Sequence, residues 1–229
     1  MKDDQSYSLR SRFSDPLLTA LTILFALLLF VIAPLQAAGL LAAHYFGLAF
    51  GMILLVAAFI VSGSVVAVTG MFIAIALIAA ATVLRLRHPS HVDILLEATA
   101  WLIFNLVIGV VVARAVFSVG RITMHRVVGA ILLYLNIGVT FVSLFCFVAL
   151  LQPQAFAGLG VLKDDLRVSS QLIYFSFVTL TSVGYGDIVP VHPFARSLAN
   201  VEAIIGQLYP ATLLARLVTL ELEGRRKRV

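Results

Sequence analysis

The chain has 229 residues, of which 62% are hydrophobic and only 12% are charged. A soluble domain carries about 25% charged and about 45–50% apolar residues, so this composition excludes an ordinary water-soluble globule and favours a protein that lies in a lipid bilayer. The net charge is +5. The basic residues flank apolar runs and do not alternate with stacking aromatics, which argues against nucleic-acid binding.

Six apolar stretches are long enough to cross a membrane as helices, because a hydrocarbon core about 30 Å thick needs about 20 apolar residues. The first is longer than the apolar core of about 7–15 residues in a signal peptide, which favours a retained helix over a cleaved one. We predict membrane-spanning helices at Leu17–Leu35, Leu40–Val61, Val65–Leu84, Ile94–Phe117, Val127–Leu151 and Ala195–Leu220.

The basic flanks of these stretches predict the orientation of the chain. The basic C-terminal tail and the basic residues between the fourth and fifth stretches are expected in the cytoplasm. An even number of crossings then places the N-terminus there too, in a multi-pass protein of the plasma membrane, or of the inner membrane in a bacterium. One loop conflicts with this rule, because Arg85, Arg87, His88 and His91 would lie outside.

A different kind of segment lies between the fifth and sixth stretches. Residues 152–169 are mixed and polar, which is typical of an exposed loop. Residues 171–180 are apolar but too few to span a membrane as a helix. Non-helical backbone at membrane depth survives only beside protein or a water-filled cavity. We therefore predict a re-entrant helix here, followed by a loop that lines an aqueous space.

The residues that follow are suited to binding a bare cation. Thr181 to Asp187 read Thr-Ser-Val-Gly-Tyr-Gly-Asp. Glycines at 184 and 186 allow backbone conformations in which consecutive carbonyl oxygens turn to one side. The side chains of Val183 and Tyr185 can then point away from the ion, and the hydroxyl groups at the start of the run can add ligands.

This run closely resembles the signature of the potassium channel family. The resemblance implies an all-α membrane protein with six transmembrane helices, in which a re-entrant pore helix and a filter loop lie between helices 5 and 6. It implies a homotetramer that surrounds potassium ions and lets them pass through the lipid membrane, without enzymatic activity or a cofactor. The implied filter comprises Thr181, Ser182, Val183, Gly184, Tyr185 and Gly186, with potassium at the oxygens of Ser182, Val183, Gly184 and Tyr185. Serine stands at 182, where most members have threonine.

Further residues match positions around the family's filter and gate. Val178 stands where some members carry a glutamate, and Tyr174 stands in the place of a tryptophan, so we expect the Tyr174 hydroxyl to bond Asp187. The alternative is that Tyr174 and its neighbour Phe175 are ordinary interfacial aromatics. Gly206, twenty residues after Gly186, matches a hinge glycine, and Pro210 would weaken the same helical turn. The alternatives are a fixed kink or close helix packing.

The first half of the chain lacks the pattern of a voltage sensor. A sensor needs several arginines at every third position, whereas the fourth stretch holds only Arg114 near its end. We expect a cytoplasmic segment at 1–16, a four-helix domain at 17–120, a pore domain at 121–220 and a basic tail at 221–229. The alternative functions are a nonselective cation channel, a voltage-gated channel with a degenerate sensor, a transporter or a structural membrane protein.

Three polar residues of the sixth stretch have no assigned place. Asn200, Glu202 and Gln207 lie within an otherwise apolar helix. Polar residues in such helices face the bundle interior or a water cavity. The sequence predicts that some of them face a pore or pack behind the filter, without distinguishing which.

Overall fold

The computed structural model describes residues 18–40, 51, 65–87, 91–117, 124–160 and 166–226. Within these ranges the chain forms six helices and one pair of two-residue strands. The helices are α1 at Leu18–Ala37, which includes a π-helical turn at Leu28–Ile32, α2 at Val65–Arg87, α3 at His91–Phe117, α4 at Met124–Leu151, α5 at Leu166–Leu180 and α6 at Pro193–Arg226. The strands are β1 at Phe156–Ala157 and β2 at Val189–Pro190.

Four of these helices are long and apolar enough to cross a membrane by length and composition. They are α1, α2, α3 and α4, and they coincide with the first, third, fourth and fifth predicted stretches. The second predicted stretch, Leu40–Val61, and the predicted segment 1–16 lie outside the described residues, apart from positions 40 and 51. Helix α6 has 34 residues and is less apolar, because polar and charged side chains occur along it, including Asn200, Glu202 and Gln207. The described chain is thus mostly helical, as expected of an all-α membrane protein.

One apolar core joins the first four helices. Its buried side chains come from α1, α2, α3 and α4, which pack in sequence, α2 on α3 and α3 on α4. Phe104 of α3 is fully buried and meets the Trp101 ring edge-on, with 5.7 Å between ring centres. Burying apolar side chains of this size stabilises a fold by about 1.5–3 kcal/mol each in water. In lipid the hydrophobic effect does not drive helices together, so close packing between the side chains has to stabilise the bundle.

A second core joins α4 to α5, α6 and the strands. Phe145 of α4 is fully buried, and its ring meets Phe156 and Phe175 edge-on at 5.8 and 4.9 Å. Edge-to-face pairs of this kind add about 0.5–1.5 kcal/mol beyond the area they bury. This core holds the short helix α5 between α4 and α6.

Polar contacts tie the helices together at several depths. The Thr22 hydroxyl of α1 lies 3.2 Å from the Val128 carbonyl oxygen of α4, and the Tyr209 hydroxyl of α6 donates to the Ala130 carbonyl oxygen at 2.8 Å. Near the end of α3, the Arg216 guanidinium donates to the Phe117 carbonyl oxygen at 3.3 Å and lies 4.7 Å from the centre of the Phe117 ring. Helix α6 therefore contacts both α4 and the C-terminal end of α3.

Two sequence predictions of this region need adjustment. Helix α5 begins at Leu166 rather than at Gln171, because the mixed residues 166–170 continue the helix. At about 1.5 Å per residue its 15 residues still fall short of a bilayer. The predicted loop contains β1, which pairs antiparallel with β2 through Phe156 opposite Pro190 and Ala157 opposite Val189.

Candidate functional site: the loop between α5 and α6

The chain leaves α5 through a series of main-chain hydrogen bonds that fold it back over the helix end. The amide of Thr181 donates to the Phe177 carbonyl oxygen at 3.0 Å, and the amide of Ser182 donates to the Thr179 carbonyl oxygen at 2.9 Å. The amides of residues 183 and 184 both donate to the Val178 carbonyl oxygen, at 2.8 and 3.2 Å. The last carbonyls of the helix are therefore satisfied by the segment Thr181–Asp187, which we call the TSVGYGD segment.

These bonds fix the direction of the carbonyl groups in the same peptide units. The described residues contain no cis peptide bond, and in a trans peptide unit the C=O points opposite to the N–H. Because the amides of residues 182, 183 and 184 point at α5, the carbonyl oxygens of Thr181, Ser182 and Val183 point away from it. All seven residues of the TSVGYGD segment are exposed in the single chain, so these oxygens are open to a partner.

The backbone of the segment has positive φ at every second residue. The values are 57° at Ser182, 55° at Gly184 and 81° at Gly186. The two glycines adopt this region without a steric penalty, as the sequence predicts. Ser182 is the only non-glycine residue with positive φ in the described parts of the chain, a conformation that persists only when surrounding contacts hold it.

Open space surrounds both glycines. A methyl group added at Gly184 or Gly186 would meet no atom within 4 Å in the single chain. Conformation, and not lack of room, is therefore what requires glycine at these two positions. The free space lies on the exposed side of the loop.

Tyr174 contacts the far end of the segment. Its ring stacks on the Tyr185 ring, with 6.2 Å between centres and 4° between planes, and its hydroxyl lies close to the Asp187 carboxylate. Asp187 Oδ1 also accepts the Ile188 amide at 3.1 Å. Phe175, by contrast, is 3% exposed and belongs to the apolar core. The pair therefore does not consist of two equivalent interfacial aromatics.

The strand pair holds the chain just beyond the segment. The Ala155 carbonyl oxygen accepts the amides of Val191 and His192 at 2.8 and 3.2 Å, and the Arg196 side chain donates to the Pro190 carbonyl oxygen at 3.1 Å. Gly158 lies so close that a methyl group there would overlap the Asp187 carbonyl oxygen. The exit of the loop is thus anchored to the residues that follow α4.

Behind the loop, a buried serine links three helices. The Ser176 hydroxyl of α5 lies 2.9 Å from the Gly138 carbonyl oxygen of α4 and 2.5 Å from Glu202 Oε1 of α6. Ser176 and Glu202 are both fully buried. Glu202 Oε2 has no hydrogen-bond partner among the described residues, so Ser176 is the principal polar contact of this carboxyl group.

Gly206 lies against the end of α5. A methyl group at this position would overlap the Leu180 carbonyl oxygen, which also accepts the Tyr134 hydroxyl at 3.3 Å. The close approach gives Gly206 a packing role, the alternative to a hinge that the sequence left open. Helix α6 runs without interruption through Gly206 and Pro210.

The structure brings together nearly all of the residues that the sequence singles out. Thr181 to Asp187 form the loop, and Tyr174 and Val178 of α5 contact it. Gly206 packs against the end of α5, whereas Pro210 lies one turn further along α6. Sequence reasoning missed Ser176, Gly138 and Gly158. Gly138 lies in an apolar helix, where a small residue is a known signal of close approach, and a methyl group there would meet the Phe177 ring at 2.9 Å.

Comparisons with known proteins agree with this geometry. Residues 132–222, about two fifths of the chain, match the family model described as ion channel. The chain is 41% identical over 56 residues to Protein LctB of Bacillus caldotenax, which covers 24% of this chain and 41% of that protein. It is 41% identical over 68 residues to Protein LctB of Geobacillus stearothermophilus, covering 29% of this chain and 45% of that protein. No solved structure matches the chain.

The match spans α5, the TSVGYGD segment and most of α6, together with most of α4. It supports ion channel function, and the matched family is one of channels rather than of enzymes. With the apolar helices, it describes a membrane-embedded, multi-pass protein. The chain spans less than half of the length of the two relatives.

Proposed function

We propose that the chain is one subunit of a homotetrameric channel that conducts potassium passively across the plasma membrane, or the inner membrane of a bacterium. The observation that supports it best is the TSVGYGD segment, in which three successive carbonyl oxygens turn away from α5 on an exposed face. One chain supplies only one side of an ion site. A closed ring of identical subunits completes it, and the resemblance to potassium channels implies four.

In this proposal the oxygens of Ser182, Val183, Gly184 and Tyr185 replace the water shell of the ion. Thr181 and Gly186 bound the filter, and Tyr174, Val178 and Asp187 hold it. The Val178 carbonyl supports this role directly, since it accepts the amides of residues 183 and 184. Residues 121–220 form the pore domain, with α5 re-entrant and α6 as the last of six transmembrane helices, and both termini face the cytoplasm.

Purified protein in planar bilayers tests the proposal. With potassium on one side and sodium on the other, we expect currents that reverse near the potassium equilibrium potential and show weak voltage dependence. A reversal potential near zero would instead favour a nonselective cation channel. Steep voltage dependence would favour a voltage-gated channel with a degenerate sensor. Absence of current from assembled protein would contradict channel function.

A matched pair of glycine variants localises the filter. Gly184→Ala places a side chain at a φ of 55° that only glycine adopts freely, and we expect it to abolish potassium selectivity. Gly39→Ala is the control, because Gly39 also has positive φ, 76°, and open space around it, but lies at the end of α1. If the two variants lost selectivity equally, the filter would not lie at the TSVGYGD segment.

A further inference from the structure

The structure separates the three polar side chains of α6 that the sequence left unassigned. Glu202 is buried against Ser176, and Asn200 is exposed and has no hydrogen bond to the TSVGYGD segment among the described residues. Gln207 is exposed, and its Nε2 lies 2.9 Å from Ser182 Oγ. Among these three, only Gln207 contacts the loop.

The position of Gln207 follows from the packing of its neighbour. Gly206 has no side chain, so α6 approaches the Leu180 carbonyl at the end of α5. Ser182 lies two residues after Leu180, and the next residue of α6 therefore faces it. A larger residue at 206 would move the Gln207 amide away from the Ser182 hydroxyl.

We infer that Gln207 is a positioning residue for the innermost ion site, and that in the assembled channel four copies form a polar ring directly beneath the filter. This inference rests on the proposed channel function. The ligand is a potassium ion or a divalent ion of similar radius, held by Ser182 Oγ while the Gln207 amide holds that oxygen in place.

The chemistry of a hydroxyl group explains why it needs such a partner. A serine hydroxyl has one proton and two lone pairs, and it rotates freely unless it is bonded. When the amide donates to one lone pair, the other is held in a fixed direction and is available to an ion. The ion then binds without first having to order the hydroxyl, which is the advantage of a pre-organised ligand.

The backbone of Ser182 gives independent support. Its φ of 57° is rare for a residue with a side chain, and such conformations gather at ligand sites where neighbouring contacts hold them. The Ser182 amide is held by Thr179, and Gln207 holds the side chain. The amide oxygen of Gln207 has no hydrogen-bond partner among the described residues and is free to bind the hydration water of an ion below.

Internal barium block measures this site, because barium has nearly the radius of potassium and enters from the cytoplasmic side. We expect Gln207→Leu to weaken internal barium block about tenfold, the size of one hydrogen bond. Gln207→Glu removes the N–H donor but lets the Ser182 hydroxyl donate to a carboxylate, which leaves both lone pairs of the hydroxyl oxygen available to the ion. It also adds negative charge, so block should be at least as strong as in the wild type. Gln207→Met serves as a second apolar variant if Gln207→Leu does not assemble.

A double-mutant cycle shows whether Gln207 acts through Ser182. In a Ser182→Ala background, Gln207→Leu should change block less than twofold, because the shared hydrogen bond is already lost. Thr212→Val is the matched control, since the Thr212 hydroxyl contacts only its own helix, at the Leu208 and Tyr209 carbonyls. Block by a bulky cation applied from outside should not change in any of these variants, whereas a general structural defect would alter it too.

The outcomes are distinguishable. The inference would be overturned if the wild type conducts potassium but Gln207→Leu changes internal barium block equally in both backgrounds. It would also be overturned if Gln207→Leu changes block in neither background. Both results leave the proposed function intact. Absence of potassium current in the wild type would overturn both.

Discussion

The two apolar cores of this chain are stabilised in different ways. The core of α1 to α4 consists mainly of side chains that pack against side chains, with a few polar contacts between helices, such as Asn136 Nδ2 to the Asn105 carbonyl oxygen at 2.9 Å. Around α5, aromatic side chains also pack together, but main-chain groups take part in many of the contacts between segments. Carbonyls of Val178, Leu180 and Gly138 each accept a bond from another segment, and glycines lie against backbone.

This difference indicates where substitution should be tolerated. Side chains that pack in a bundle can be exchanged for others of similar volume at a cost below about 1.5 kcal/mol. Contacts that define a backbone conformation cannot be exchanged in that way, because glycine or a particular donor is required. The following four variants test the contrast, from the largest expected effect to the smallest.

Gly206→Ala should have the largest effect. Its methyl group would overlap the Leu180 carbonyl oxygen, and overpacking of this kind costs about 1–3 kcal/mol. We expect a lower thermal midpoint of the assembled protein and loss of potassium current. Pro210→Ala is the companion variant, because it tests a hinge without the clash. Normal assembly and current in Gly206→Ala would show that α6 does not approach α5 as described.

Ser176→Ala should rank second. It removes the principal polar contact of the fully buried Glu202 carboxyl group, and a buried polar group without a partner costs about 1–3 kcal/mol. The thermal midpoint of unfolding is the measurement. Ser176→Ala combined with Glu202→Leu should recover part of the loss, because the unpaired carboxyl group is gone. A double variant as unstable as the sum of the two single variants would contradict this coupling.

Tyr174→Phe should have a smaller effect, confined to the C-terminal end of the TSVGYGD segment. The ring keeps its stack on Tyr185 and loses only the hydroxyl, which lies close to Asp187. We expect faster loss of current during sustained opening, with unchanged assembly. Tyr209→Phe is the control, since its hydroxyl bonds Ala130 and not the loop. Equal inactivation in both variants would count against a specific role of Tyr174.

Asn136→Leu should have the smallest effect. Leucine has the same number of side-chain heavy atoms and the same branching as asparagine, and Asn136 Oδ1 has no hydrogen-bond partner in the described part of the chain. Polar contacts between membrane helices average only about 0.6 kcal/mol, and replacing an unsatisfied group offsets part of that. We expect a thermal midpoint within a few degrees of the wild type and normal potassium current. Loss of the current would show that the helix bundle tolerates substitution no better than the loop does.

The sequence predicts most helices of this fold, because a membrane helix is visible as a long apolar run. Helices α2, α3 and α4 begin within three residues of the predicted positions. The start of α5 at Leu166 was missed, because residues 166–170 mix polar and apolar side chains. Strands of two residues such as β1 and β2 are too short to show an alternating pattern.

The candidate site was predictable where local residue type dictates conformation, as at Gly184 and Gly186. Contacts between distant segments were not. Glycine at 206 is visible in the sequence, but the Leu180 carbonyl that it faces is 26 residues away, so a hinge and a packing contact look alike. Ser182 illustrates the same limit, because nothing in its neighbourhood predicts a positive φ of 57°. Roles in ion binding remain predictions until currents are measured.

The contact between Arg216 and Phe117 restricts how the C-terminal half of α6 can move. The guanidinium covers both the carbonyl and the ring of the last residue of α3. Lateral displacement of this part of α6 has to uncover them, unless α3 is dragged along. A contact worth about 1 kcal/mol biases the chain about fivefold toward the described arrangement. A rotation of α3 would therefore be transmitted to the C-terminal half of α6 through this contact.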